Sequence, residues 1–205
     1  MFFCIDKTGT LTQNQVVLER HYDLDMQETP QILKFSYLNA YYQTGVKDLI
    51  DKAVIDAAGD ELDVNEIQRD YNKIDEIPFD YTRKRMSVVV VDNDEHHGQH
   101  LLVTKGAAEG MLAISNKVEL NGKVEDLTSE WKERILNQMN ELNDDGLRVL
   151  LVGYKLNPAP VGEFSAKDEH DLTIIGYLAY LDPPKETTKE ALEDLKNDNV
   201  DVKIF

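Results

Sequence analysis

The sequence predicts an α/β chain in which an α+β unit, an antiparallel sheet flanked by helices, is inserted into a smaller unit formed by the two chain ends. Three observations predict it. The two ends share a strand–loop and strand–helix–strand grammar typical of α/β units. The middle alternates β-branched and aromatic-rich runs with amphipathic helical stripes. Tight-turn signals, above all Asn121-Gly122, join neighbouring runs as antiparallel hairpins. Residues 1–15 and 176–205 are assigned to the end unit and residues 16–175 to the inserted unit.

The elements follow in order. Phe2 to Ile5 is short and apolar and reads as a buried strand delivering Asp6 to a loop, where Thr8, Gly9 and Thr10 form a turn. Val16 to Leu18 is extended. Thr29 is an N-cap candidate with Pro30 at the first helical position, opening a helix to about Gln43 that Gly45 stops. Val46, Leu49, Ile50, Ala53, Val54 and Ala57 form the stripe of a second helix, ended by Gly59. Ile77 to Phe79, Met86 to Val91 and Leu101 to Thr104 read as strands, the last two joined through the loop Asp92 to Gly98. Val118 to Leu120 and Lys123 to Val124 flank the Asn121-Gly122 turn. A long helix starts near Thr128, turns Trp131, Ile135, Met139 and Leu142 to the core, and stops near Gly146. Leu147 to Tyr154 is a strand, and Asn157 to Asp168, with Pro158, Pro160 and Gly162, is a surface loop. Leu172 to Leu181 is a strand that Pro183-Pro184 breaks. A helix to about Lys196 and a strand from Val200 to Phe205 follow.

The 205 residues, 41% of them hydrophobic, suffice for one large domain or two small ones. A net charge of -17 opposes polyanions, so nucleic acid is an unsuitable partner, whereas a small anion needs only a local positive pocket. The single cysteine, Cys4, forms no internal disulfide, which suits a reducing compartment. Aliphatic runs such as Val88 to Val91 fall far short of the about 20 residues that span a bilayer, and no signal peptide is visible. The chain by itself is expected to be soluble, cytosolic and monomeric.

The most informative stretch is Asp6-Lys7-Thr8-Gly9-Thr10-Leu11-Thr12. It places a carboxylate at a strand end, followed by a lysine, hydroxyls and a glycine. A carboxylate attacking a phosphoryl group approaches another anion; Lys7, turn N–H groups and a metal ion would offset that repulsion. The string resembles the phosphorylation signature of P-type ATPases. The resemblance implies a haloacid-dehalogenase-like Rossmannoid domain, with Asp6 as the phosphorylated nucleophile, Lys7, Thr8 and Thr10 around it, and an incomplete Mg2+ site at Asp6 and Thr8. Phosphatases of that wider fold carry a second Asp two positions after the nucleophile as general acid/base. Thr8 stands there, which suits a longer-lived aspartyl-phosphate.

Further stretches resemble the family's nucleotide-binding elements. In Phe79-Asp80-Tyr81-Thr82-Arg83-Lys84-Arg85-Met86-Ser87 the resemblance makes Phe79 the ring that stacks on adenine and puts Lys84 near the base or phosphates. By itself the stretch also fits a core Phe and a solvated basic turn. Lys105-Gly106-Ala107-Ala108-Glu109 resembles the Lys-Gly-Ala element lining the ATP pocket, with Lys105 a partly buried ammonium and Gly106 allowing close ligand approach. Gly146-Leu147-Arg148-Val149-Leu150 resembles the element whose arginine, here Arg148, contacts phosphates. Asp51 falls where the family often has an acidic residue facing the adenine amino group; a solvated helix face is the other reading.

Tyr180-Leu181-Asp182-Pro183-Pro184-Lys185 resembles the family's hinge, and Asp182, Pro183 and Pro184 are its candidates, since prolines restrict φ and remove N–H donors. The family's later metal-binding loop, its membrane helices and its actuator loop have no counterpart, so the chain reads as an excised fragment. The runs Leu181 to Thr188 and Arg85 to Val90 look most like bacterial magnesium-transporting P-type ATPases. The implied function is ATP binding, with Mg2+, on the cytosolic face of the plasma membrane, in a pump that moves a cation, magnesium, with ATP hydrolysis. The implied partners are the nucleotide and the pump's membrane and actuator domains. The fragment alone would bind nucleotide without turnover. Alternatives are a calcium or other cation pump, or a soluble haloacid-dehalogenase-type phosphatase. His96, His97 and His100 lie in a loop without zinc-like spacing and read as surface, Glu141 to Asp145 reads as a helix end, and Tyr41-Tyr42 reads as packing.

Overall fold

A computed structural model of the chain describes residues 2–5, 10–13, 15–93, 99–157, 164–197 and 200–204. The strands are β1 (Phe2–Ile5), β2 (Val17–Asp23), β3 (Tyr71–Asp80), β4 (Arg85–Asp92), β5 (His100–Gly106), β6 (Ser115–Leu120), β7 (Lys123–Asp126), β8 (Arg148–Leu156), β9 (Leu172–Leu181) and β10 (Asp201–Ile204). The helices are α1 (Pro30–Tyr41), α2 (Leu49–Glu61), α3 (Val64–Asp70), α4 (Ala108–Ile114), α5 (Ser129–Asp144) and α6 (Thr188–Asn197).

The α/β expectation holds. An eight-stranded sheet runs β3-β4-β5-β8-β9-β6-β7, with β2 also on β9, and a separate two-stranded sheet pairs β1 with β10 in parallel. The large sheet is antiparallel except where β6 lies parallel to β9. β9 therefore has β8 along one edge, while β2 and β6 share the other: β2 takes Gly176–Leu181 and β6 takes Leu172–Ile174. Residues 176–181, grouped above with the chain ends, are part of this sheet through β9.

Alternation along the strands gives the sheet two apolar faces. On one, Val88, Val90, Val103, Val152 and Ile175 pack against α1, α2 and α3. On the other, Val89, Leu102, Leu151, Ile174 and Tyr177 pack against α4 and α5. Asn39 of α1 crosses to the sheet, its Nδ2 donating to the carbonyls of Val103 at 2.8 Å and Met86 at 3.3 Å.

Several boundaries differ from the sequence reading. The second helix starts at Leu49, because Asp48 caps it by accepting from the Asp51 N–H at 2.7 Å, and Val46 lies outside it at 97% exposure. Gly59 does not end that helix; it sits inside α2 with open space where a Cβ would be. α3 was not foreseen. It is a short helix started by Asp63, whose carboxylate accepts from Asn65 and Glu66, and it buries Ile67 alone. The Asn121-Gly122 turn has positive φ at both residues, 52° and 75°, as a two-residue hairpin of matching twist requires. The long helix is capped by the Thr128 hydroxyl and ends before Gly146, whose φ is 86°.

Gly176 and Gly59 give opposite predictions. A Cβ on Gly176 would strike the Tyr22 carbonyl and come within 2.9 Å of Ile32 Cδ1. Gly176→Ala should therefore destabilise by about 1–3 kcal/mol through overpacking. Gly59→Ala, in open helix interior, should stabilise by about 0.5–1 kcal/mol. Urea denaturation of both variants checks the contrast.

Candidate functional site

Antiparallel pairing brings distant parts of the chain to one end of the large sheet. Asp80 pairs with Arg85, Arg85 with Gly106, Gly106 with Leu151, and Arg148 with Tyr180. Phe79, Lys84, Lys105, Gly106 and Arg148 thus share that end, where β9 leads into Asp182.

Phe79 is 49% exposed. The β3–β4 register slips between Ile77 and Asp80, so Phe79 lies in a bulge, a device that re-aims a side chain. Tyr81 meets its ring edge-on, with centroids 5.2 Å apart. The following turn is closed by Asp80, whose carboxylate accepts from the N–H groups of Thr82 at 3.0 Å and Arg83 at 2.8 Å. Lys84 sits in this turn, exposed, with φ of 49°.

Lys105 is more deeply placed than its partly buried expectation, at 3% exposure, on the face covered by α1 and α2. Its ammonium makes an ion pair with Asp51 of α2, itself 2% exposed. The solvated-face alternative for Asp51 is therefore excluded. Burial raises the Asp51 carboxyl above the usual range, and the Lys105 charge works against that shift. The Tyr180 hydroxyl lies fully buried nearby; burial, then the charges of Asp51 and Asp48, push it well above the ordinary phenol range. It has no hydrogen-bond partner among the described residues.

The space beside Gly106 is occupied by the protein itself. A Cβ there would lie 2.5 Å from Arg85 Cβ and 2.8 Å from the Lys84 carbonyl oxygen. That carbonyl also accepts from the Ala107 N–H at 3.0 Å. The Lys-Gly-Ala element and the Lys84 turn are thereby locked together. Arg148 is exposed, and its guanidinium reaches Asp182 at 3.6 Å, joining the sheet end to the hinge candidate. Thr10 is exposed. Asp6, Lys7 and Thr8 lie outside the described residues, as do His96 and His97. Among the described residues no group of three or more His, Cys, Asp or Glu could hold a metal.

Sequence reasoning missed one cluster. Glu169 is buried under the opposite sheet face and accepts from Arg83 Nη1 at 2.5 Å, Arg85 Nε at 2.8 Å and Ser87 Oγ at 2.7 Å. Arg85 and Ser87 share one face of β4 and Arg83 sits two residues earlier in the turn, a spacing that is the available signal; Glu169, in a polar stretch far along the chain, offers none.

Residues 28–187 match the family described as P-type ATPase, cytoplasmic domain N. The chain belongs to the P-type ATPase family. It is 45% identical over 98% of its length to the magnesium-transporting ATPase, P-type 1, of Escherichia coli K12, and covers 22% of that protein. It is 44% identical to the magnesium-transporting ATPase, P-type 1, of Salmonella typhimurium, again over 98% of the chain and 22% of the relative. A calcium-transporting ATPase of Listeria monocytogenes is 32% identical over 94% of the chain and 24% of its own length. The chain thus spans about a fifth of these P-type ATPases.

The buried pair sets a stability prediction for this P-type ATPase domain. Asp51→Ala leaves the Lys105 ammonium uncompensated and should cost about 3–5 kcal/mol. Replacing both partners, Asp51→Leu with Lys105→Met, should recover most of that loss, because the penalty belongs to the unpaired charge. Urea midpoints of the single and double variants measure it.

Proposed function

We propose that this chain is the ATP-binding part of a P-type ATPase that carries its phosphate on Asp6 and moves a cation. The observation supporting the reading is the gathering of Phe79, Lys84, Lys105 and Arg148 at one end of the sheet, from three separate stretches of the chain. Each suits a different part of a nucleotide. An exposed aromatic face stacks on a purine. Ammonium and guanidinium groups attract a triphosphate, and a recessed ammonium does so more strongly than one in bulk water.

The residues fit ATP in a further respect. Among the described residues Lys105 forms its ion pair with Asp51, and the Tyr180 hydroxyl, which has no hydrogen-bond partner among them, lies close to that pair. A purine edge arriving there offers an amino donor to the Asp51 carboxylate and ring-nitrogen acceptors to the Lys105 ammonium and the Tyr180 hydroxyl. Mg2+ accompanies the triphosphate as its counter-ion and, in the same reading, belongs with Asp6 and Thr8 in the intact pump. Gly106 serves by bringing the Lys84 turn against Lys105, and Asp182, Pro183 and Pro184 link the domain to the phosphorylated one.

Magnesium is the proposed cargo, because the identity to a magnesium-transporting relative, 45%, exceeds that to a calcium-transporting one, 32%. No helix among the described residues is long and apolar enough to cross a membrane. The reading places this part on the cytosolic side of the pump, with the membrane and actuator domains as its partners. Thr8, standing where a phosphatase would carry its acid, favours the pump over a free phosphatase.

Titration of the chain with ATP, with and without Mg2+, followed by calorimetry or NMR, tests this reading. ATP should bind, and Phe79→Ala should weaken binding by about 1–3 kcal/mol through loss of stacking. Equal binding by the variant would remove Phe79 from the site.

A further inference from the structure

The Phe79 ring is half exposed on a strand end, and the Tyr81 ring meets it edge-on. Its direction is set as well by the backbone of the bulge that holds it and of the turn after it. Both are tied to one buried carboxylate far away in sequence. Arg83 Nη2 donates to the Pro78 carbonyl at 2.7 Å, inside the bulge, while its Nη1 donates to Glu169 Oε2 at 2.5 Å. Arg85 Nε donates to the same oxygen at 2.8 Å, and Arg85 Nη1 reaches the Arg83 carbonyl at 3.3 Å. Ser87 Oγ occupies the other Glu169 oxygen at 2.7 Å and lies 2.8 Å from Thr104 Oγ1 on β5. Glu169 is 2% exposed.

Glu169 itself is held rigidly. The preceding 3-10 turn, Ala166–Asp168, carries a capping box in which the Ser165 hydroxyl accepts from Lys167 N and the Asp168 carboxylate accepts from Ser165 N. Leu172 then begins β9.

We propose that Glu169 and Arg83 are positioning residues of the nucleotide site: through the Pro78 carbonyl they fix the bulge that presents Phe79, and through Arg85 they fix the turn that presents Lys84. This rests on the nucleotide-binding reading above. A planar guanidinium can bridge a carboxylate and a carbonyl at once because its donors point in fixed, divergent directions; an ammonium on a flexible stem lacks that fork. Burial makes the bridge rigid, since a desolvated carboxylate holds its donors more tightly than a solvated one. A side chain displaced by about an ångström loses much of its value as a binding platform, and supporting groups of this kind set that precision.

Arg83→Lys is the decisive variant. It keeps the positive charge, alters a partly exposed side chain, and leaves Glu169 paired to Arg85 and Ser87. Binding of ATP and of adenosine is measured for wild type, Arg83→Lys, Glu169→Gln and Phe79→Ala, with thermal melting and the Phe79 ring resonances recorded in the nucleotide-free state. The expected result is a folded Arg83→Lys protein with shifted Phe79 resonances. Both ligands should bind about tenfold more weakly, and a Glu169→Gln variant that folds should show the same pattern. Loss of ATP affinity with adenosine unaffected would mean that Arg83 touches phosphate directly, and would overturn the positioning role. Unchanged binding of both ligands by a folded Arg83→Lys protein would overturn it too, while leaving the nucleotide reading intact as long as Phe79→Ala still weakens ATP. Absence of any ATP response in the wild type would instead remove the nucleotide reading and this inference with it. If Glu169→Gln does not fold, Arg83→Lys decides alone.

Discussion

The structure depends on how β9 satisfies its backbone. It is ten residues long and buried along almost its whole length, so its peptide groups have no access to water and must pair on both edges. β8 supplies one edge continuously. The other edge is divided between β2, from before the helical layer, and β6, from the middle of the chain. No local hairpin could provide this. The first strand of the large sheet must wait for the last, and the short β6–β7 hairpin must dock in parallel beside it. Gly176 marks where the crowding is greatest, with the Tyr22 carbonyl and Ile32 pressed against its α-carbon.

Once β9 is in place, the ends of β3, β4, β5, β8 and β9 come into line, and the candidate site is a consequence of that alignment. Two buried charged groups then stiffen the same end from opposite faces. On the α2 side, Asp51 holds Lys105. On the α4 side, Glu169 holds Arg83, Arg85 and Ser87. Gly106 lets the two layers of chain touch, because its missing Cβ is filled by the Lys84–Arg85 backbone. Desolvating charges is expensive in any domain. Finding both groups at one end of one sheet ties that expense to what the end does.

Much of this was legible from residue order, and the exceptions have physical causes. β9 is predicted to its observed bounds because a long unbroken apolar run with β-branched and aromatic members has few other fates. α5 is predicted from its apolar stripe of Trp131, Ile135, Met139 and Leu142. β2 is seen only at its start, because Val17–Asp23 buries His21 and Asp23 and leaves Val17 exposed, which inverts the usual pattern. α3 escapes notice because it buries little beyond Ile67. At the site, family resemblance picks out Phe79, Lys84, Lys105 and Arg148, but not the depth of Lys105 or its partner. Glu169 is invisible beforehand, since a glutamate in a polar stretch reveals its partners only after β4 and β9 have come together.

The segments leading into and out of the large sheet are bonded to each other. Gln13 N donates to the Pro183 carbonyl at 2.8 Å and Lys185 N to the Leu11 carbonyl at 2.9 Å; Gln13 Nε2 reaches the Pro184 carbonyl at 3.2 Å and Thr188 Oγ1 the Leu11 carbonyl at 2.6 Å. Mechanically this makes a two-ply strap instead of two independent strings. Neither ply can slide along the other without breaking those bonds, and the prolines stiffen one of them. A tether of this construction resists shear and stretching while leaving bending across its thin direction as the soft mode. Tension applied to either ply is therefore shared by both, as in a laminate whose layers are glued along their length.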